Sequence, residues 1–246
     1  MAEVKSLADA LTSALKDAGA VLVGFADMAP VSFNPFPVLG RGVSIAIPFV
    51  PELARQPGTP TANPAYVDAY FEMQHRLNPI VAVGRKVIRA YGFNASGYGF
   101  RPFFDGSDDD MDVDRYLTSR YPHKTTATLA NLGWIGRMGV LVTRKFGPHV
   151  WLATILTDAP LPAAEPCVTS FCGKCRRCQD ACPVGAIQGA LWNRSLTRSD
   201  LVDIRACQKH RRERGKAVRA PMCGLCLAAC PVGLGKEKRS LSGMGG

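Results

Sequence analysis

Apolar residues recur at helical spacing through the first twenty positions: Val4, Leu7, Leu11, Ala14, Leu15 and Ala18, with Glu3, Lys5, Asp9, Lys16 and Asp17 between them. The pattern predicts an amphipathic surface helix, not the unbroken apolar stretch and small-residue cleavage site of a signal peptide. No twin-arginine leader is present. The runs "AVLVGFADM" and "GVSIAIPFV" are too short for a bilayer span and predict buried strands, joined by a loop containing Pro30, Pro35 and Pro37. Helical periodicity returns from Ala65 to Tyr91, where Pro79 predicts a kink or break. "MGVLVTRKF" and "HVWLATILT" predict two more strands, with Gly147-Pro148 between them as a hairpin signature. Pro160, Pro162 and Pro166 then predict a boundary.

The expected class is α+β, with an α/β domain over residues 1–164 and a cysteine-rich domain over 165–246. At 246 residues and 47% hydrophobic content, the chain can bury a sizeable core. Without a leader or spanning segment, it is expected to be cytoplasmic and to have no membrane partner. Nine cysteines in that compartment point to metal rather than disulfides.

The net charge of +10 is uneven: residues 1–164 hold 15 Lys/Arg against 14 Asp/Glu, whereas 165–246 hold 15 against 6. Basic residues near thiolate-ligated clusters offset negative charge, and a basic surface also suits an acidic partner. "RACQKHRRERGKAVR" concentrates seven cations and one acid on one expected helix, with Ser199 upstream as N-cap. It reads as a cluster-screening helix or as a dock for reduced ferredoxin or flavodoxin. It lacks the aromatics that stack nucleic-acid bases. The aspartates Asp105, Asp108, Asp109, Asp110, Asp112 and Asp114 form an acidic loop without a calcium-binding register.

"CGKCRRCQDACP" sets Cys172, Cys175, Cys178 and Cys182 at C-x2-C-x2-C-x3-C, followed by proline. "CGLCLAACP" repeats the theme with Cys223, Cys226 and Cys230, and Cys207 lies upstream. Three thiolates of such a run wrap one cubane cluster, and in two-cluster ferredoxins the fourth ligates the other. On that logic Cys172, Cys175, Cys178 and Cys230 hold one 4Fe-4S cluster, and Cys182, Cys207, Cys223 and Cys226 the second. The fourth cysteine of the first run is expected to start a helix. C-x2-C pairs also bind zinc, but the third cysteine and the paired Cys-Pro endings belong to ferredoxins. Cys167 is left over as a buried or semi-buried free thiol.

"HKTTATLANLGWIGRMGVLVTRKFGPHVWLATILTDAPL", followed by the first cysteine run, resembles the epoxyqueuosine reductase family and its relatives, the cobalamin-dependent reductive dehalogenases. The resemblance runs from about Leu7 to Gly233. It implies a nitroreductase-like N-terminal domain that binds cobalamin and a bacterial two-cluster ferredoxin-like domain that passes electrons to the cobalt. In such a reductase the cofactor carries the hard chemistry. Three departures stand out. The family's helical-repeat domain, which helps hold tRNA, is expected to have no counterpart in the 16 residues after the last cysteine, which argues against tRNA and for a small-molecule substrate. The usual "AGLGWIGK" reads "ANLGWIGR" here. The aspartate-tyrosine-histidine proton-donor motif is out of register, its nearest match being Asp68, Tyr70 and His75.

The resemblance assigns corrin contact to Asn131, Leu132, Gly133, Trp134, Ile135, Gly136 and Arg137. Glycines there permit close approach to a flat macrocycle; a tight turn with Trp134 in the core explains them equally. His123 titrates near neutrality and Lys124 can stabilise developing negative charge, or both simply start a helix. Tyr70 and Tyr98 are candidate proton donors. Two other classes fit the motifs: a corrin-free electron-transfer protein, and a carrier that reduces corrinoid without an organic substrate.

Overall fold

The computed structural model describes residues 2–31, 36–49, 64–99, 121–218 and 223–233. The acidic loop and Pro35 lie outside them. Two compact units share the chain: Met1–Pro48, Phe71–Leu132 and Trp151–Cys167 form one, and Phe49–Tyr70, Gly133–Val150 and Val168–Gly246 the other. The segments 49–70 and 133–150 therefore group with the cysteines, although they precede residue 164 in sequence.

In the first unit, helix α1 (Ala2–Asp17) buries Leu7, Leu11 and Leu15, one residue per turn on one face. Strands β1 (Leu22–Asp27) and β2 (Arg41–Pro48) follow and pair antiparallel, with Gly24 opposite Ser44. Val43, Ile45 and Ile47 are fully buried, so β2 is an interior strand. Helix α2 (Pro64–Ala90), which belongs to this unit from Phe71 onward, continues through Pro79 without the expected break. Strand β3 (Ala95–Tyr98), helix α3 (His123–Leu129) and, later, strand β6 (Val150–Thr157) complete a four-stranded sheet of order β1-β2-β6-β3. Helix α3 packs on β1 and β2. Among its residues and their neighbours, Ala26, Met28, Leu39, Leu129, Ala130 and Leu156 form a buried cluster.

The second unit begins differently. Strand β4 (Trp134–Ile135) pairs with β5 (Leu141–Val142) as a small antiparallel hairpin. Strand β5 does not form the expected hairpin with β6. The reason is local: Thr143 and Gly147 exchange backbone bonds, and Gly147 has φ of +59°, so the chain closes on itself before Pro148. Short helices α4 (Arg177–Asp180), α5 (Arg198–Leu201), α6 (Ile204–Val218) and α7 (Leu225–Ala228) follow.

Two expectations about these helices change. A helix precedes Cys182 rather than starting there, and the Cys182-Pro183 pair turns the chain away from it. The expected helix after Ser199 is two helices. The Asp200 carboxylate accepts from the Thr197 amide and hydroxyl ahead of α5, while Asp203 accepts from the Arg205 and Ala206 amides ahead of α6. Among the described residues no helix is long and apolar enough to cross a membrane.

Candidate functional site

The two cysteine runs fold alike because their sequences are duplicated. Cys182 N–H bonds Gln179 O at 3.1 Å, and Cys230 N–H bonds Leu227 O at 3.2 Å, each closing the short helix before its Cys-Pro pair. Helices α4 and α7 pack on each other. This crosses the runs: the Cys230 thiol is close enough to feel Cys172, Cys178 and Cys175.

The inserted helices place Cys207. Val202 bridges Ile187, and the bonds Gln188 N–H to Leu201 O (2.9 Å) and Asp203 N–H to Ala186 O (2.7 Å) pin the start of α6 beside the segment after Cys182. The Cys207 thiol there feels Cys182 and Cys223, and Cys226 feels Cys207, Cys223, Cys178 and Cys182. The thiols of the two runs and Cys207 thus lie near enough to one another to interact electrostatically.

Burial first, and the neighbouring cysteines with it, push the Cys226 thiol up to about 12 and the Cys230 thiol up to about 11. Burial also raises Cys178 and Cys207, against the pull of Arg211 on the latter. Anionic sulfur here needs compensating positive charge, which is what iron supplies. Several sulfurs receive N–H donors: Trp134 Nε1 donates to Cys172 Sγ at 3.4 Å and the Ala186 amide to Cys182 Sγ at 3.3 Å, and backbone amides, Gln179 and Val232 among them, bond the Cys178 and Cys230 sulfurs. Among the described residues no three His, Cys, Asp or Glu side chains converge on one ion position.

The segment assigned to corrin is engaged within the second unit from Gly133 onward. A Cβ on Gly133 would collide with the Val142 carbonyl, so the close approach requiring glycine is to β5. Trp134 and Ile135 are buried, and Gly136 N–H bonds Val140 O to close the hairpin. Arg137 faces the first cysteine run. Its Nε donates to Cys175 O at 3.0 Å, one terminal nitrogen to Gly173 O at 2.7 Å, and the other to Gly189 O. In the first unit, Leu132 packs against the core cluster, and Asn131 is exposed with φ of +54°.

The first unit brings His123 and Tyr98 to one sheet neighbourhood. Tyr98 pairs across strands with Thr154, and Thr154 Oγ1 lies 2.9 Å from His123 Nδ1. Burial lowers the His123 pKa from 6.5 to about 4. His123 is therefore neutral at pH 7, and the expected titration near neutrality is displaced well into the acid range. Sequence reading missed Tyr121, whose ring stacks on His123 at 6.2 Å and whose hydroxyl lies 2.8 Å from Ser96 Oγ. Its place two residues before His123 was the available signal. Lys124 is exposed on α3; Tyr70 lies in α2, with its side chain outside the described residues. Cys167 is buried, its amide bonded to Thr128 O.

All the cysteines except Cys167 fall within residues 171–233, which match the family described as a 4Fe-4S double cluster binding domain. Over longer stretches the chain is similar in sequence to epoxyqueuosine reductases and to a reductive dehalogenase. It is 32% identical to the epoxyqueuosine reductase of Gloeobacter violaceus over 149 residues, 55% of this chain and 44% of that protein. It is 34% identical to the tetrachloroethene reductive dehalogenase of Sulfurospirillum multivorans over 116 residues, 43% of this chain and 22% of that one. The matches span less than half the length of these relatives.

The fold is shared with the catabolic reductive dehalogenase NpRdhA, with a TM-score of 0.70 at 20% identity over 95% of this chain and 33% of that one. It is also shared with an epoxyqueuosine reductase solved with a tRNA-Tyr epoxyqueuosine-modified stem loop, at TM-score 0.59 and 17% identity over 95% and 67%. The expectation against tRNA thus meets a relative of the same fold that binds it.

Proposed function

We propose that the chain is an iron–sulfur reductase. In this reading Cys172, Cys175, Cys178 and Cys230 hold one 4Fe-4S cluster, and Cys182, Cys207, Cys223 and Cys226 hold the other. The carrying observation is the crossing of the runs, with Cys230 beside the first three thiols and Cys182 beside Cys207 and Cys226. Two-cluster ferredoxins use the same exchange of the fourth ligand. Reduced ferredoxin or flavodoxin would supply electrons to the basic cysteine-rich part of the chain.

Cobalamin, held by the N-terminal domain, is the electron acceptor that the relatives support; when bound, it supplies a low-potential metal centre for reducing an organic substrate. Neutral His123 and Tyr98 offer hydrogen-bonding groups on this domain's sheet. His123 at neutral pH would exchange hydrogen bonds rather than carry positive charge. Lys124 and Tyr70 remain proposals for charge stabilisation and proton donation. The substrate class is a small molecule or a modified base.

A second reading, a corrin-free electron-transfer protein, draws support from Trp134 and Arg137, whose polar groups are turned to the cysteine loop. Anaerobic reconstitution with iron, sulfide and cobalamin, followed by gel filtration, separates the two. The first reading expects about eight irons per chain and co-eluting corrin. Corrin that elutes apart from a fully loaded chain would leave the electron-transfer reading. With corrin retained, turnover of an epoxide, an aryl halide or epoxyqueuosine-containing tRNA distinguishes enzyme from carrier.

A further inference from the structure

We infer that the β4–β5 hairpin is the electrostatic seat of the first cluster: the Trp134 indole N–H bonds the Cys172 sulfur and raises that cluster's reduction potential, while Arg137 clamps its loop. The inference rests on the cluster assignment above and gives the "GWIGR" segment a task independent of corrin.

An indole nitrogen is a donor only, and Trp134 is 4% exposed. A buried N–H without an acceptor would cost about 1–3 kcal/mol. Its acceptor here is Cys172 Sγ, at 3.4 Å. The ring is fixed from outside: Phe171 meets it edge-on at 5.4 Å and 71°, and the Arg144 guanidinium lies 4.8 Å over the Phe171 ring. Gly136 brings the hairpin close, since a Cβ there would sit 3.7 Å from the same sulfur and 2.8 Å from Val142 Cγ2.

Reduction adds one electron to a cluster whose thiolates already make it negative. The electron comes from the external donor, and the indole proton stays on its nitrogen. A hydrogen bond to ligand sulfur stabilises the more negative state, so it raises the potential. The Arg137 fork acts beside it, tying Gly173 O and Cys175 O, one on each side of Lys174, into one rigid loop with Gly189 O. In the other quartet the sulfur bond shown comes from a backbone amide, Ala186 N–H to Cys182, which side-chain substitution leaves in place. The two clusters are therefore separable by mutation.

The test is anaerobic reconstitution of the full chain, iron and sulfide counting, and a potentiometric titration followed by EPR. Trp134→Phe keeps the ring and removes the donor. The expected result is full iron, one midpoint moved to a more negative potential, and the other unmoved. Two intact clusters with unmoved potentials would overturn the inference alone. No cluster spectrum from the wild-type chain would overturn the parent reading and this inference with it. If Trp134→Phe loads poorly, wild-type protein carrying 15N-indole tryptophan decides: coupling of an indole nitrogen to a reduced cluster supports the bond, and its absence overturns it. Arg137→Lys keeps the charge but not the fork. It should leave the potentials near wild type and release about half the iron faster to a chelator; release at the wild-type rate would overturn the clamp.

Discussion

The two units hold themselves together by different means. The largest fully buried side chains, Leu7, Leu11, Leu15, Met28, Ile45, Ile47, Met73, Leu77, Ile88, Ile155, Leu156 and Leu161, all lie in the first unit. The second has, beside the 15-residue α6, three helices of four residues, a hairpin of two-residue strands and isolated bridges. Helices that short are not stable by propensity, so tertiary ties must hold them. A sheet-based core stores its stability in apolar burial, whereas a cysteine-rich unit draws it from ligand bonds to metal.

Removing iron should give the largest effect. Structural metal sites contribute on the order of 10 kcal/mol of folding free energy. Chelation under anaerobic conditions is expected to abolish amide protection at Ala186, Cys207 and Ala228 while Val43, Ile45 and Ile155 stay protected. Hydrogen exchange read by mass spectrometry checks it, and equal loss in both units would break the comparison. Single ligand changes sharpen it. Cys207→Ala and Cys230→Ala should each leave about half the iron. Full retention by either variant would mean that the quartets are drawn wrongly.

The converse experiment attacks the core of the first unit. Leu15 is fully buried on α1, so Leu15→Ala should lose about 3 kcal/mol in chemical unfolding of that unit. Iron content should not change. A fall in bound iron would show that the second unit needs the first to assemble.

A smaller effect follows from His123. Its pKa is about 4 when folded and about 6.5 when unfolded, so the unfolded chain binds more protons between those values. Stability is complete above about pH 6.5 and falls as pH drops toward 4. With discounting for the ring's partial exposure, the loss by pH 5 is about 2 kcal/mol or less. The groups bonded or stacked around it are the Thr154 hydroxyl and the Tyr121 ring. Because carboxylates elsewhere also titrate there, the measurement is the difference from His123→Gln, whose stability should fall less on acidification.

Legibility in the sequence tracks how local the cause is. The double-cluster region could be read because ligand spacing and the Cys-Pro duplication are carried in short stretches. Leu7, Leu11 and Leu15 announced α1 by period alone. The pairing of β5 was misread because Gly147-Pro148 resembles a hairpin turn, while the deciding bonds run between Gly147 and Thr143. Trp134 and Arg137 were read through a family resemblance. Their partners, Cys172, Gly173, Cys175 and Gly189, lie far along the chain, and no periodicity encodes that meeting.

Asn131 gives the smallest test and shows how a residue singled out by a resemblance can also carry a local structural task. Sequence reading noticed it because "ANLGWIGR" departs from the usual glycine, and grouped it with corrin contacts. Helix α3 ends there in a Schellman motif: Leu132 N–H bonds Ala127 O at 2.9 Å, and Asn131 N–H bonds Thr128 O at 3.1 Å. The position needs a left-handed residue, and Asn131 takes φ of +54°. Asparagine is the side chain that best tolerates that region, but glycine adopts it without penalty. Asn131→Gly should therefore raise the stability of the first unit by about 0.5 kcal/mol, and Asn131→Val should lower it by about 1 kcal/mol or more. Neither should alter iron content or cluster potentials. A changed cluster potential in Asn131→Gly would mean that this cap sets the position of the Trp134 hairpin, and would join two regions that the comparison treats as separate.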